Sequence, residues 1–191
     1  MSGQLSFFTA GNQPPAVADL EGLLLGMAQV VRLGGTARMS VLVDEPWRAD
    51  AVLAAYAERG LQGETVSTLE GKTAVRTSFA RLLLPIAARW ARGAVKTVPP
   101  LWSLDGSRLR MWAVAAGRLD DHGYLLRLGH SDAAVWGPAG AALASAGLPA
   151  TFLGARAQGP AYRLVGRRRL ARLREYVGDP PPGAPSHGWP G

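Results

Sequence analysis

Cysteine is absent from the 191-residue chain. That excludes a disulfide framework, a thiolate metal site and a cysteine nucleophile. Lysine is scarce: of 21 basic residues, only Lys72 and Lys96 are lysine. Beside 24 glycines and 14 prolines, this reads as coding bias in a GC-rich genome, so part of the arginine excess says nothing about function. Long apolar runs are missing too. Met1–Leu20 has neither a basic segment nor an unbroken apolar stretch, and no export signal is read there. The uncharged stretch Ala133–Ala155 is mostly alanine and glycine, broken by Pro138 and Pro149. A spanning helix needs about 20 strongly apolar residues. This one reads instead as a small-residue helix, a stop and turn at Gly147-Leu148-Pro149, then a strand. These absences lead to the expectation of a cytoplasmic protein with no membrane partner.

What is present can fold. Apolar residues make up 48% and charged ones 18%, enough to fill a core and to exclude global disorder. The length suits one generous domain, or one domain of two similar halves. The net charge of +7 is unevenly spread: −4 over residues 1–70 and +11 over residues 71–191. That asymmetry points either to a basic surface facing nucleic acid or to a solvated basic face.

Along the chain, 1–17 is a polar leader with Pro14-Pro15, expected to be mobile. Asp19 reads as the cap of a helix whose apolar residues are Leu20, Leu23, Leu24, Met27 and Val30. After Gly34-Gly35, residues 37–43 alternate as a half-buried strand. Asp44 is the expected cap of the next helix, with Pro46 in its first turn, Val52, Leu53 and Tyr56 facing inward, and Gly60 as its stop. Residues 63–69 and 73–77 read as strands around Glu70-Gly71. Ser78 opens a helix with Leu82, Leu83, Ile86 and Trp90 on one face, which Pro85 either kinks or starts. The order then recurs: helix 109–116, strand 123–129, helix 132–147, strands 150–155 and 161–165, and a last helix burying Leu170, Leu173 and Tyr176. The opening helices end 89 residues apart, at Ala28 and Gly117, which is an internal duplication. Residues 179–191, with Pro180-Pro181-Pro182, are expected to be disordered.

Leu20-Glu21-Gly22-Leu23-Leu24-Leu25-Gly26-Met27-Ala28 resembles a LAGLIDADG motif, and so does Leu109-Arg110-Met111-Trp112-Ala113-Val114-Ala115-Ala116-Gly117. Lys96-Thr97-Val98-Pro99 is similar to the Lys-x-x-Pro segment that precedes the second motif in LAGLIDADG homing endonucleases. The resemblance covers roughly residues 18–178. It implies an α+β fold: a tandem αββαββα pseudo-dimer with curved antiparallel sheets. The repeats would be 18–95 and 105–178, joined by a linker at 96–104. The motif helices would pack on each other through Gly22, Gly26, Ala115 and Ala116, with Met111 where a small residue is usual.

In that family each motif ends in an acid that holds divalent metal. The matching positions here are Met27 and Ala116, neither able to bind metal or move a proton. Asp120 and Asp121 follow the second motif, either as displaced ligands or as a solvated turn pair; Gln29 near the first motif is a neutral donor at best. His122, His130 and His187 show no metal spacing, and His130-Ser131-Asp132 reads as a helix cap rather than a triad. No catalytic residue, metal ligand, cofactor or small-molecule substrate is therefore assigned.

The resemblance places double-stranded DNA on the exposed sheet faces. The expected contacts are Arg38, Ser40, Lys72, Arg76, Lys96, Arg127, Arg156 and Arg163, with Arg167 and Arg168 on phosphates. It implies a monomeric, non-catalytic, nucleoid-associated regulator, as with degenerate members of the family in bacterial sporulation and division. The competing readings are an endonuclease or RNA-maturation relative with residual Mg²⁺-dependent activity, and a protein-interaction scaffold.

Overall fold

The computed structural model describes residues 14–93, 95–154, 156 and 159–191. Most of the expected leader lies outside the described residues. The first half runs as a 3₁₀ helix Val17–Leu25, strands β1 (Ala28–Leu33) and β2 (Thr36–Val43), helix α1 (Pro46–Ala57), strands β3 (Gly63–Ser67) and β4 (Thr73–Thr77), a 3₁₀ turn Arg81–Leu83 and helix α2 (Leu84–Trp90). A two-residue hairpin, β5 (Ala91–Arg92) and β6 (Val95–Lys96), leads into the second half. That half repeats the order: α3 (Gly106–Ala116), β7 (Gly117–Asp120), β8 (Gly123–Arg127), α4 (Ala133–Ser145), β9 (Thr151–Leu153), β10 (Ala161–Leu164) and α5 (Arg167–Val177). The two four-stranded sheets have the same antiparallel order, β1-β2-β4-β3 and β7-β8-β10-β9. The fold is α+β, built of two sheet-and-helix repeats. No helix among the described residues is long and apolar enough to cross a membrane.

The 3₁₀ helix and α3 cross at the centre as a spine. A β-carbon built on Gly22 would lie 1.8 Å from the Arg108 carbonyl oxygen, and one on Gly26 would lie 3.2 Å from the Ala116 Cβ. Ala115 and Ala116 are buried beside this crossing. Met111 is buried as well, and the closest approach falls on Arg108 rather than on Met111. Fully buried Glu21 ties the top of the spine. It pairs with Arg89 and Arg108 and accepts the Trp102 Nε1–H at 2.7 Å, which pins the linker.

Several expectations are corrected. The opening helix stops at Leu25 and is 3₁₀ rather than α. Val30 is buried as a strand residue, on the inner face of β1 with Ala28 two residues before it. Asp19 is not the N-cap. It sits three residues inside, accepts the Ala16 N–H at 2.9 Å and pairs with Arg59 at 2.8 Å. Pro85 starts α2 and does not kink it, and Leu82 stays half-exposed in the preceding turn. The tail is packed, not disordered. Trp189 is buried, stacks under the Arg110 guanidinium and donates to the Gly178 carbonyl at 2.9 Å. The Leu119 N–H donates to the His187 carbonyl at 2.7 Å, so the tail covers the free edge of β7. Proline removes donors but leaves carbonyls free to accept, and one tryptophan supplies the anchor.

Candidate nucleic-acid interface

Strand alternation sorts each sheet into a core face and an outer face. In the first sheet, Ala37, Met39, Val41 and Val43 of β2 are buried, so Thr36, Arg38, Ser40 and Leu42 face outward. The register joins Gln29, Ser40, Arg76 and Glu64 into one row across the four strands. In the second sheet the equivalent row is Arg118, Leu125, Arg163 and Thr151. Counted from the strand that follows each spine helix, Arg76 and Arg163 occupy the same place, on the third strand of each row.

Arg38, Ser40 and Arg76 thus share the outer face of the first sheet, with Arg38 over the Phe79 ring at 4.6 Å. Lys72 is exposed in the turn before β4 and pairs with Glu70 at 3.0 Å. Arg163 is outward on β10 and pairs with Asp120. Arg156 is exposed beyond β9, and Arg167 and Arg168 are exposed at the start of α5, off the sheet. Arg118 belongs to the face and was missed, because β7 follows α3 without a break and its four residues, Gly-Arg-Leu-Asp, carry no strand pattern.

Two expected contacts are not presented to a duplex. Lys96 is buried; its ammonium donates to the carbonyls of Gly26 at 3.0 Å and Ala28 at 2.7 Å and lies 2.7 Å from Asp132. Arg127 lies at the inner end of β8 and pairs with Asp44 of the other repeat at 2.6 Å. Both belong to a polar cluster at the base of the spine. On its second side, fully buried Arg48 donates to the carbonyls of Ala113 at 3.2 Å, Val114 at 2.7 Å and Gly117, and sits 3.1 Å from Asp44. Each spine helix thus ends against a buried cation, Lys96 or Arg48, which suits the negative end of a helix dipole. Each cation is matched by an aspartate just ahead of a helix, Lys96 by Asp132 before α4 and Arg48 by Asp44 before α1.

Sequence reasoning took those two aspartates for helix caps. Asp132 does stand at the N-cap of α4, but its side chain makes no cap bond; it holds Lys96 and accepts the Gln29 amide at 3.3 Å. The N-cap of α1 is Glu45, not Asp44. The recurrence of Asp44 and Asp132 in the two halves was the available signal.

The cluster surrounds the positions that hold metal in the resembling family. Met27 is half-buried between the 3₁₀ helix and β1, and Ala116 is the last residue of α3. Asp120 stands three strand residues beyond Gly117, about 10 Å along β7. There it accepts the His122 N–H at 2.9 Å and closes the β7–β8 hairpin. Asp121 is exposed in that turn. Among the described residues no three His, Asp or Glu side chains converge.

Electrostatics at the base follow from burial and pairing. Burial lowers the affinity of Lys96 and Arg48 for their protons, opposed by Asp132 and Asp44 respectively. Burial also works to raise Asp44, but the Arg127 hydrogen bond and the charges of Arg127 and Arg48 outweigh it and hold the carboxyl below its ordinary value of 3.8. A carboxyl depressed by folding stabilises the protein above the unfolded value and loses that contribution as pH falls through the folded one. The melting-temperature gap between wild type and Asp44→Asn is therefore expected to be constant above about pH 5 and to shrink in more acid solution. A gap independent of pH down to the acid transition would mean that Asp44 is not held ionised by its arginines.

No protein-family model matches the chain, and no curated protein matches it in sequence. Among solved structures it is similar to the homing endonuclease I-WcaI bound to its DNA recognition sequence. The TM-score is 0.61 at 10% sequence identity, over 83% of this chain and 78% of that one. At that identity the likeness is one of fold: two sheet-and-helix repeats about a central helix pair.

Proposed function

We propose that this chain is a non-catalytic double-stranded DNA-binding protein, holding the duplex against the outer faces of its two sheets. The observation that carries the reading is the pair of equivalent outer rows, each with an arginine on its third strand, Arg76 and Arg163. Arginine's planar fork grips phosphate and pairs with the guanine O6 and N7 edge. Two such faces in one chain address two successive stretches of groove without a second copy. The similar fold of a DNA-bound endonuclease supports the same placement.

Binding without cutting is supported at the base of the spine. Met27 and Ala116 offer no side-chain oxygen to a metal, and the nearby carboxylates of Asp44 and Asp132 are already neutralised by Arg127, Arg48 and Lys96. Such a protein acts by occupancy, as a regulator of transcription or a chromosome-associated factor.

The test is selection from random duplexes with and without Mg²⁺. Retention is expected under both conditions, with both strands intact, and affinity should fall steeply with salt as counterions are released. Replacing Arg76 and Arg163 together with glutamine should lower the salt slope by about two units. Absence of salt-dependent retention would reject DNA binding; Mg²⁺-dependent nicking would reject the non-catalytic part.

A further inference from the structure

Part of the basic charge of residues 71–191 is spent inside the fold. Lys96 is buried, Arg108 is held by Glu21 and Asp105, and Arg110 donates to the carbonyls of Val177 and Asp179. Arg127 is paired with Asp44. The densest exposed positive charge is elsewhere, on α5. This helix buries Leu173 and Val177 and exposes Arg167, Arg168, Arg169, Arg172 and Arg174, with Glu175 its one acid. It packs on α3, on the core side of the second sheet. Arg163 stands on the opposite side of that sheet.

Helix stability does not account for these arginines. Three of them fill the first turn, where positive charge opposes the helix dipole, and Gly166 supplies no side-chain cap. We propose that the exposed face of α5 is a second duplex-binding surface, gripping the phosphate backbone of a DNA segment other than the one against the sheets. This rests on the reading that the sheets hold DNA.

The chemistry of the face selects that occupant. Eleven residues span about 16 Å, and a DNA strand presents a charge about every 3.4 Å along its axis. Arg168 and Arg172 stand one turn apart on it, and Arg167 and Arg174 two turns apart. The one aromatic ring on the helix, Tyr176, is half-buried, lies under Arg172 and donates its hydroxyl to the Ala146 carbonyl, so the face lacks a free platform for stacking single-stranded bases. Apart from Val165, which is half-exposed just before the helix, no large apolar side chain stands exposed there as an anchor for a protein partner. The apolar side of the helix is already buried in the core, so it cannot enter a lipid surface. What remains is a row of guanidinium groups matched to a regular line of phosphates.

The experiment is a two-duplex capture. Protein is bound to a bead-tethered duplex and offered a second, fluorescent duplex. Three proteins are compared: wild type, the helix variant Arg168→Gln, Arg172→Gln, Arg174→Gln, and the sheet variant Arg76→Gln, Arg163→Gln. Wild type should capture the second duplex. The helix variant should keep its affinity for the tethered duplex within about twofold yet lose capture by about tenfold or more. Capture by the helix variant equal to wild type would overturn the proposal, since bridging through protein dimers survives those substitutions. So would a helix variant that loses the tethered duplex as the sheet variant does, because both surfaces would then touch one duplex. If instead the sheet variant binds normally and the helix variant binds nothing, the sheet reading fails and α5 stands as the DNA surface.

Discussion

The Gly22→Ala variant is expected to lose at least about 3 kcal/mol of stability, although it adds one methyl group. Overpacking a core usually costs about 1–3 kcal/mol, because side chains shift rotamer to make room. Here nothing can rotate away. The new carbon would lie 1.8 Å from the Arg108 carbonyl oxygen and 2.6 Å from the carbonyl carbon, both backbone atoms of the facing spine helix. The two helices must move apart along the central line of the fold, loosening Leu20, Leu23 and Leu24, which are fully buried beside it. For a domain whose whole stability is about 5–15 kcal/mol, that is a large share. Two controls set the scale. Gly26→Ala meets the Ala116 Cβ at 3.2 Å, a neighbour that must yield a few tenths of an ångström, and should cost about 1 kcal/mol. Gly35→Ala meets nothing within 4 Å and should be neutral within about 0.5 kcal/mol. Urea unfolding midpoints rank the three. A Gly22→Ala protein as stable as Gly35→Ala would mean that the spine helices do not cross on Gly22.

The duplication, the spine glycines and the long helices were legible because each rests on a local pattern. Gly22 and Gly26 stand four apart in the first motif, and residues 37–41 alternate apolar and polar in the sequence. What escaped notice depends on contacts distant in sequence. Strand β1 hides inside an apolar run whose spacing also fits a helix, and β7 has only four residues. The order of the tail depends on where Trp189 finds its partners, Arg110 and Gly178. At the interface, alternation placed Arg38, Ser40, Arg76 and Arg163 on the outer faces. It also placed Arg127 there, and the face is right, but Asp44 lies 83 residues away and only the folded chain brings them together. The sequence reads Lys96 as a surface base, because a charged residue in a linker is normally solvated. Its burial follows from the carbonyls of Gly26 and Ala28, just past the first spine helix, and an aspartate of the second repeat, none of which its own neighbours announce.

Lys96→Met should therefore act on stability rather than on contact with DNA. The ammonium and the Asp132 carboxylate are both nearly buried, their side chains 3% and 10% exposed. Removing one partner of such a pair leaves the other charged in a poorly solvated place, which costs about 3–5 kcal/mol. Methionine also leaves the Gly26 and Ala28 carbonyls without their donor, at the end of a helix where unpaired carbonyls already concentrate. The compensating change is Asp132→Asn in the same chain. It removes the stranded charge and keeps an oxygen for the Gln29 amide, while the two carbonyls stay unsatisfied. The double variant should thus recover more than half of the loss but not all of it, so that the two single losses are strongly non-additive in the double-mutant cycle. Salt separates this from a DNA contact. If Lys96 touched phosphate, its loss would lower the salt slope of binding by about one unit. A buried Lys96 leaves the slope of the still-folded fraction unchanged while the unfolding midpoint falls. A Lys96→Met protein with wild-type stability and a reduced slope would place this residue back on the DNA face and dissolve the cation cluster at the base of the spine.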